Sequence, residues 1–167
     1  MGTSDVWYGV LTSLEDRSEP RIRASDHPFF RGMNPTWVDT VSRGSVDTTY
    51  NVGDLLVREG EVANRFHLVF HGKLAVEVSG PSGNRWVVQT IGPGEVVDWP
   101  AIVPPHVWRF DGRALKETRV VSLEASVLRR ALESHPVEGH RFLERLVPVI
   151  GRRLEYLRTR LVGAADA

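Results

Sequence analysis

Histidine offers the widest chemistry in this sequence, because cysteine is absent from all 167 residues while histidine occurs six times. His67 and His71 lie four residues apart in FHLVFH, a run of apolar and aromatic residues that is typical of a strand. On a strand their side chains would share one face, about 13 Å apart, which is too far for one metal ion to bind both. The pair therefore predicts no metal site.

His106 stands in the triplet Pro-Pro-His, which is similar to the second motif of cupin enzymes. The first cupin motif, His-x-His with a nearby Glu, does not occur in the sequence. A metal-dependent, cupin-like enzyme is therefore a minor alternative, and so is a haem sensor that holds its iron through one histidine. No residue is predicted to be catalytic or to bind a metal.

A second group of residues with chemical potential lies in the segment VDWPAIVPPHVWRFDGRA, which spans 97–114. Asp98 precedes Trp99 and Pro100, the arrangement of an N-cap before a short helix whose N-terminus can attract an anion. Trp99, Trp108 and Phe110 can stack on a flat ligand, or they can fill a cavity and close it. The sequence leaves both alternatives open.

Asp111 and Arg113 follow in the same segment, where a strand is predicted. Residues two apart on a strand point to the same face, so we predict an ion pair between them. Such a pair would orient the segment rather than contact a ligand.

Composition excludes several classes of protein. Hydrophobic residues make up 41% and charged residues 25%, as in an ordinary single-domain soluble protein. Lys and Arg total 21 and so do Asp and Glu, so the chain lacks the basic surplus of a nucleic-acid binder. No apolar run reaches the length of a membrane span, and the first twenty residues do not form a secretory signal. We expect a cytoplasmic protein that binds neither nucleic acid nor membrane.

The elements that must position these residues follow from the pattern of the chain. Residues 1–25 form an N-terminal extension, with a short helix predicted at 6–14. Asn34 and Pro35 predict the start of a helix over 34–44. From 47 to 123, short β-branched and aromatic runs separated by glycines predict a mainly β fold, a double-stranded β-helix or jelly roll of seven or eight strands.

The helical period returns after 124 and predicts a short helix over 125–134 and a long helix over 136–162. Pro148 is expected to kink the long helix, since it removes one backbone donor. One edge of the apolar stripe must cover the roll, and the other can pair with a second copy of the chain. The residues that would form this homodimer are Leu143, Ile150, Leu154, Leu157 and Leu161.

This order of elements, together with four stretches of the sequence, resembles the cyclic-nucleotide-binding domain family. The four stretches are YNVGDLLVREGE at 50–61, FHLVFHGKLAV at 66–76, IGPGEV at 91–96 and RALKETRVVSL at 113–123. The resemblance implies a catabolite-activator-like (Crp/Fnr-like) sensory domain over 26–167. Members that bind cyclic nucleotides carry a phosphate-binding cassette between two strands. In it the triplet Phe-Gly-Glu opens a short helix, the Glu binds ribose and a later Arg binds the cyclic phosphate.

The resemblance places the cassette of this chain at 97–114, where the family's ligand residues are replaced. The positions of Phe-Gly-Glu hold Val97, Asp98 and Trp99, and Trp108 stands where the phosphate-binding Arg would be, with Arg109 one place later. We therefore do not expect cyclic AMP or GMP to bind in the usual mode, and the cofactor is left unknown. The ligand pocket of this diverged cassette is expected to comprise Val97, Asp98, Trp99, Pro100, Ala101, Trp108, Arg109, Asp111 and Arg113.

The cassette also resembles that of a stand-alone subgroup of the family. The resemblance implies a regulatory or sensory domain, not an enzyme, that acts through a small ligand, through docking to another protein, or both. The long helix of regulators in this family precedes a DNA-binding domain, and none is expected here after 162. The main alternative is a ligand-free structural subunit of a larger enzyme assembly, which for this subgroup would be a redox assembly.

Overall fold

Two antiparallel sheets of four strands form the centre of the protein, in a computed structural model that describes residues 20–165. The strand order is β1-β8-β3-β6 in the first sheet and β2-β7-β4-β5 in the second. This arrangement confirms the predicted jelly roll. The helix predicted at 6–14 lies outside the described residues. The strands are β1 Val46–Tyr50, β2 Leu55–Val57, β3 Arg65–His71, β4 Leu74–Ser79, β5 Arg85–Ile91, β6 Val96–Val97, β7 Asp111–Ala114 and β8 Thr118–Glu124.

Successive side chains of β3 point in opposite directions, one set into the roll and the other toward the helices outside it. Phe66 contacts Phe29 and Phe142 at ring-centroid distances of 5.7 and 5.4 Å, so it faces the helices. The next residue, His67, stacks on Trp108 at 5.8 Å and therefore faces the interior of the roll. Both side chains are buried, which explains why β3 is apolar along most of its length.

In the described part of the chain, three α-helices flank the roll: α1 Pro35–Val41, α2 Ala125–Ser134 and α3 Pro136–Ala165. Asn34 caps α1, because its side-chain oxygen accepts hydrogen bonds from the backbone amides of Thr36 and Trp37 at 2.9 and 3.2 Å. α3 continues as a helix on both sides of Pro148. Its inner face carries the buried Phe142 and Leu146, which hold it against the roll.

Gly72, between β3 and β4, occupies a turn that only glycine can form. Its φ is +89°, in the region that L side chains rarely adopt. A Cβ at this position would overlap the backbone of Glu117 and Thr118, with the Thr118 Cα only 2.6 Å away. This close approach brings the β3–β4 turn against the loop that enters β8.

Candidate functional site

Asp98 is a fully buried charged residue of the cassette, and both of its carboxylate oxygens have partners. It is 0% exposed at the end of β6. Oδ1 accepts a hydrogen bond from the backbone amide of Trp99 at 2.5 Å, which caps the single 3-10 turn Trp99–Ala101. Oδ2 accepts from the Arg153 guanidinium at 2.8 Å. The carboxylate therefore occupies the N-terminus of the Trp99–Ala101 turn, where the sequence predicted that an external anion could bind.

Arg153 fixes the cassette to α3 through two contacts. Besides Asp98, its guanidinium donates to the carbonyl oxygen of Val96 at 2.6 Å. Burial raises the pKa of Asp98, and the adjacent Arg153 charge opposes that rise. Sequence reasoning missed Arg153. The spacing of Phe142, Leu146, Val149 and Arg153 places all four on one face of a helix, and that signal could have revealed it.

A second arginine holds the other end of the same turn. Arg129 on α2 donates to the carbonyl oxygen of Ala101 at 2.7 Å. Pro100 and Ala101 are buried and Trp99 is partly exposed, so the turn lies against the protein rather than over an open pocket. The Trp99–Ala101 turn is thus bound by α3 at its start and by α2 at its end.

Trp108 fills the interior of the roll at the position that the resemblance gives to the phosphate-binding Arg. It is 3% exposed, stacks on His67 and packs edge-to-face on Phe110 at 5.6 Å. Its backbone amide donates to the Glu61 carbonyl at 2.9 Å, and its carbonyl accepts from the amide of Gly60 at 2.8 Å. These contacts fix the indole inside the roll.

Arg109 lies on the opposite side of the chain from Trp108. Its side chain is exposed, whereas Trp108 and Phe110 on either side of it are buried. The structure therefore does not bring Arg109 into the interior with Trp108.

Asp111 and Arg113 do not pair with each other, so the predicted direct ion pair is wrong. Glu77 on β4 lies opposite Asp111 in the register, and the Arg113 Nε donates to both of its carboxylate oxygens at 3.1 and 3.2 Å. Asp111 instead forms an ion pair with Arg85, and its Oδ1 accepts from the backbone amide of Glu59 at 2.7 Å. The neighbouring strands thus supply the partners, which spacing along one strand could not reveal.

His67 is buried and neutral. Its Nδ1 shares a 2.7 Å hydrogen bond with the Ser122 hydroxyl on β8. Burial, with a smaller contribution from the nearby Arg65 charge, lowers the pKa of His67 to about 3. His71, four residues later, is exposed at the end of the strand. Within residues 20–165 no group of three or more His, Cys, Asp or Glu side chains is placed to hold a metal ion.

The outer face of α3 carries apolar side chains that nothing in the described chain covers. Leu143, Val147, Leu154 and Leu161 are 43%, 62%, 65% and 72% exposed. Ile150 is half-buried and packs partly against the core, and Leu157 is half-buried too. The predicted stripe thus divides into an inner edge on the roll and an outer edge. None of the helices in the described part of the chain is long and apolar enough to span a membrane.

The sheets, the cassette between β6 and β7, and the helix tied to that cassette define a jelly roll of the kind found in catabolite-activator-like regulators. The sequence profile described as "cyclic nucleotide-binding domain" matches residues 47–135. The chain therefore belongs to the family of cyclic nucleotide-binding domains, as the resemblance implied.

Related proteins agree with this assignment. A curated relative, the CRP-like cAMP-activated global transcriptional regulator of Mycobacterium tuberculosis, is 23% identical over 126 residues, which cover 75% of this chain and 54% of the relative. The chain thus spans about half the length of the curated relatives it matches.

Two solved structures share the fold. One is a cyclic nucleotide-binding domain from Methylobacillus flagellatus, with a TM-score of 0.68 and 17% identity over 77% of this chain and 72% of that chain. The other is the sensor domain of the transcriptional regulator DNR from Pseudomonas aeruginosa, with a TM-score of 0.64 and 14% identity over 78% of this chain and 88% of that chain. At these identities the structures establish the architecture of this chain but not its ligand. The ligand has to be inferred from the residues of the chain itself.

Proposed function

We propose that this chain is a regulatory sensor domain that works as a homodimer through α3. In this proposal it does not bind cyclic AMP or GMP in the usual mode. The observation that carries the proposal is the contact of Arg153 on α3 with both Asp98 and Val96, because it joins the cassette directly to the helix with the uncovered apolar face. The sensor acts in the cytoplasm on another protein.

Two features of the cassette argue against a cyclic nucleotide. The Trp108 indole fills the place where a phosphate-binding Arg would stand, and Arg109 points outward. The buried Asp98 carboxylate would also repel a phosphate placed at the start of the Trp99–Ala101 turn.

The outer edge of α3 supports a homodimer because its apolar residues follow a heptad pattern. Successive members are four, three, four, three and four residues apart, which is the spacing of positions a and d in a coiled coil. An exposed seam of this kind is stabilised when an identical helix packs against it. The members of this seam are Leu143, Val147, Ile150, Leu154, Leu157 and Leu161.

The seam lies directly beside the residue that contacts the cassette. Leu154 belongs to the exposed seam, while the preceding residue, Arg153, points inward to Asp98. A shift of α3 in the dimer would therefore move the guanidinium that holds the cassette. A ligand that binds the roll better in one helix position would bias that equilibrium, and a partner protein would read the result.

Sedimentation velocity of two matched variants tests the homodimer. Val147 and Val137 are both valines on α3, 62% and 67% exposed, but only Val147 lies in the seam. Val147→Glu should convert the dimer to a monomer, because it would bury a carboxylate between two apolar helices. Val137→Glu should leave the dimer intact. A wild-type monomer at high micromolar concentration, or equal behaviour of both variants, would overturn the homodimer.

Thermal unfolding with cyclic AMP and cyclic GMP tests the cassette. We expect no shift of the midpoint with either nucleotide at millimolar concentration. A ligand present at 100 times its dissociation constant would add about 2.7 kcal/mol of stability, or roughly 5–10 °C for a domain of this size. Such a shift would show that the diverged cassette still accepts a cyclic nucleotide.

A further inference from the structure

A cavity of about 310 Å³ opens between the edge strands of the two sheets, next to Trp108. β1, β3 and β8 supply one wall and β2 supplies part of the other, so the cavity lies at the open edge of the roll. Its volume is at the lower end of the range for small-molecule sites in proteins. The side chains that could bind a ligand there are those of Thr48, Tyr50, Asn64, Arg65, His67 and Ser122.

His67 presents an unused polar atom to this cavity. The ring is 5% exposed and its Nδ1 is engaged by the Ser122 hydroxyl. Its Nε2 has no hydrogen-bond partner among residues 20–165, although the ring lines the cavity. This nitrogen can therefore form a hydrogen bond with a ligand or water in the cavity.

Arg65 supplies a positive charge that has no carboxylate partner within residues 20–165. Among these residues its guanidinium makes only long contacts, at 3.4 Å, to the carbonyl oxygens of Gly44 and Ser122. No Asp or Glu of the described chain lies within ion-pair distance of it. The charge of Arg65 lowers the pKa of both Tyr50 and His67, although burial dominates in each case, raising the pKa of Tyr50. Arg65 therefore acts on the groups inside the cavity.

The remaining wall is neutral and donates hydrogen bonds. The side-chain polar atoms of Thr48, Tyr50 and Asn64 have no protein partner within the described part of the chain, and all three can donate. Glu61 is the carboxylate at the edge of the cavity; its side chain is exposed, and its backbone carbonyl is taken by Trp108.

The mouth and the floor of the cavity are apolar. Val46 and Val62 lie at the mouth and are 45% and 67% exposed, although both are large hydrophobic residues. Val57 and Trp108 close the inner end, where both are buried. A site with an apolar rim and floor, and with polar groups along one wall, fits a molecule that has a small apolar body and one polar end.

We propose that this cavity binds a small organic anion, with its carboxylate or phosphate group on Arg65 and the hydroxyl groups of Thr48 and Tyr50. The apolar body of the anion packs against Val57 and Trp108. The Nε2 of His67 binds a second polar group of the ligand. This site uses β1, β3 and β8, whereas the cassette follows β6.

The biological role of this ligand rests on the proposed sensor function, but its binding to the cavity does not depend on that function. Trp108 lies between the cavity and the rest of the cassette, and its backbone is bonded to Gly60 and Glu61. A ligand beside His67 would therefore contact a residue whose position is tied to the cassette.

Isothermal titration calorimetry on the full chain tests the site with probes of known charge. The anionic probes are benzoate, phenyl phosphate and succinate, and the neutral control is benzamide. We expect at least one anion to bind and benzamide to bind roughly tenfold more weakly or not at all, because the charge-assisted bond to Arg65 is lost. Benzoate against phenyl phosphate distinguishes a carboxylate site from a phosphate site.

Two matched substitutions locate the binding. Arg65→Gln removes the charge inside the cavity, and Arg109→Gln removes an exposed charge in the cassette loop, one residue from Phe110. Arg65→Gln should weaken anion binding roughly tenfold or more, while Arg109→Gln should leave it unchanged. Ser122→Ala, which releases His67, serves as a second cavity variant if Arg65→Gln fails to fold in a thermal scan.

The outcomes separate the two proposals. Failure of every anion to bind at millimolar concentration, or loss of binding in Arg109→Gln but not in Arg65→Gln, would overturn the cavity site. The homodimer would be unaffected by either result. Anion binding that persists in a monomeric Val147→Glu variant would support the cavity site on its own.

Discussion

The Asp98 carboxylate and the Arg153 guanidinium meet at 2.8 Å across 55 residues of sequence. Asp98 is fully buried, and only 15% of the Arg153 side chain is exposed. Because each charge would be costly to bury alone, the pair holds the cassette and α3 in one relative position. It is the contact through which either element can affect the other.

Replacing Arg153 with Met should destabilise the protein strongly. The substitution keeps much of the volume of the side chain but leaves the Asp98 carboxylate buried without its partner. Breaking a buried pair in this way costs about 3–5 kcal/mol. Urea unfolding followed by circular dichroism would measure the loss.

Arg158→Met is the matched control on the same helix. Arg158 pairs with Glu155 at 3.7 Å, and both side chains are largely exposed, so its loss should change stability by less than about 0.5 kcal/mol. The double variant Asp98→Asn/Arg153→Met should lose less than the sum of the single variants. Equal losses in Arg153→Met and Arg158→Met would show that the buried pair contributes nothing.

The sequence was sufficient for features that depend on local spacing. Asn34 before Pro35 indicated the start of α1, and Asn34 is the N-cap of that helix. The fold class followed from the glycine-separated runs of the roll and from the helical period after 124.

Contacts between distant segments could not be predicted in the same way. Asp111 and Arg113 share a face as expected, but their partners, Arg85 and Glu77, come from β5 and β4, whose register the sequence does not reveal. The spacing of His67 and His71 predicted no metal site, but it could not reveal the neighbours on β8 and in the cassette that make His67 a buried, neutral ring.

His67 should make the protein less stable as the pH falls. In the unfolded chain the pKa of His67 is about 6.5, but in the folded protein it is about 3. Protons therefore favour the unfolded chain between these values, and stability should fall by about 2 kcal/mol from pH 7 to pH 5 on account of this residue. Urea unfolding at a series of pH values would measure the slope.

His67→Phe isolates this contribution. The variant retains an aromatic ring to stack on Trp108, so it should show a shallower decline over the same pH range even if its stability at pH 7 is lower. His27, whose pKa is also lowered by burial, contributes in the same direction in both proteins. Parallel pH profiles for the two proteins would contradict the assignment of a neutral buried His67.

Gly72 and Gly53 provide a matched pair for the β-turns. Both have φ near +90°, but a Cβ at Gly53 would meet no atom within 4 Å, whereas one at Gly72 would overlap the backbone of Thr118. Gly53→Ala should therefore cost about 1–3 kcal/mol from backbone strain alone. Gly72→Ala should cost more than about 4 kcal/mol, or prevent folding. Similar urea midpoints for the two variants would show that the close approach at Gly72 is unimportant.

Trp108→Arg tests whether the indole is what excludes a cyclic nucleotide. Without ligand the variant should be several kcal/mol less stable than the wild type, because it places an unpaired charge inside the roll, close to Arg65. A cyclic phosphate would neutralise that charge. Cyclic AMP should therefore raise the unfolding midpoint of the variant, by roughly 5–10 °C near saturation, and leave the wild type unchanged.

Trp108→Met separates the effect of the new charge from that of the lost ring. It also opens the interior beside His67, but it adds no positive charge, so cyclic AMP should not shift its midpoint. A shift in both variants would mean that the bulk of the indole alone blocks the site. A shift in neither would mean that the Asp98 carboxylate and the absence of a ribose-binding Glu exclude the nucleotide even when a phosphate partner is restored. In both variants Asp98 stays buried next to the turn and bonded to Arg153.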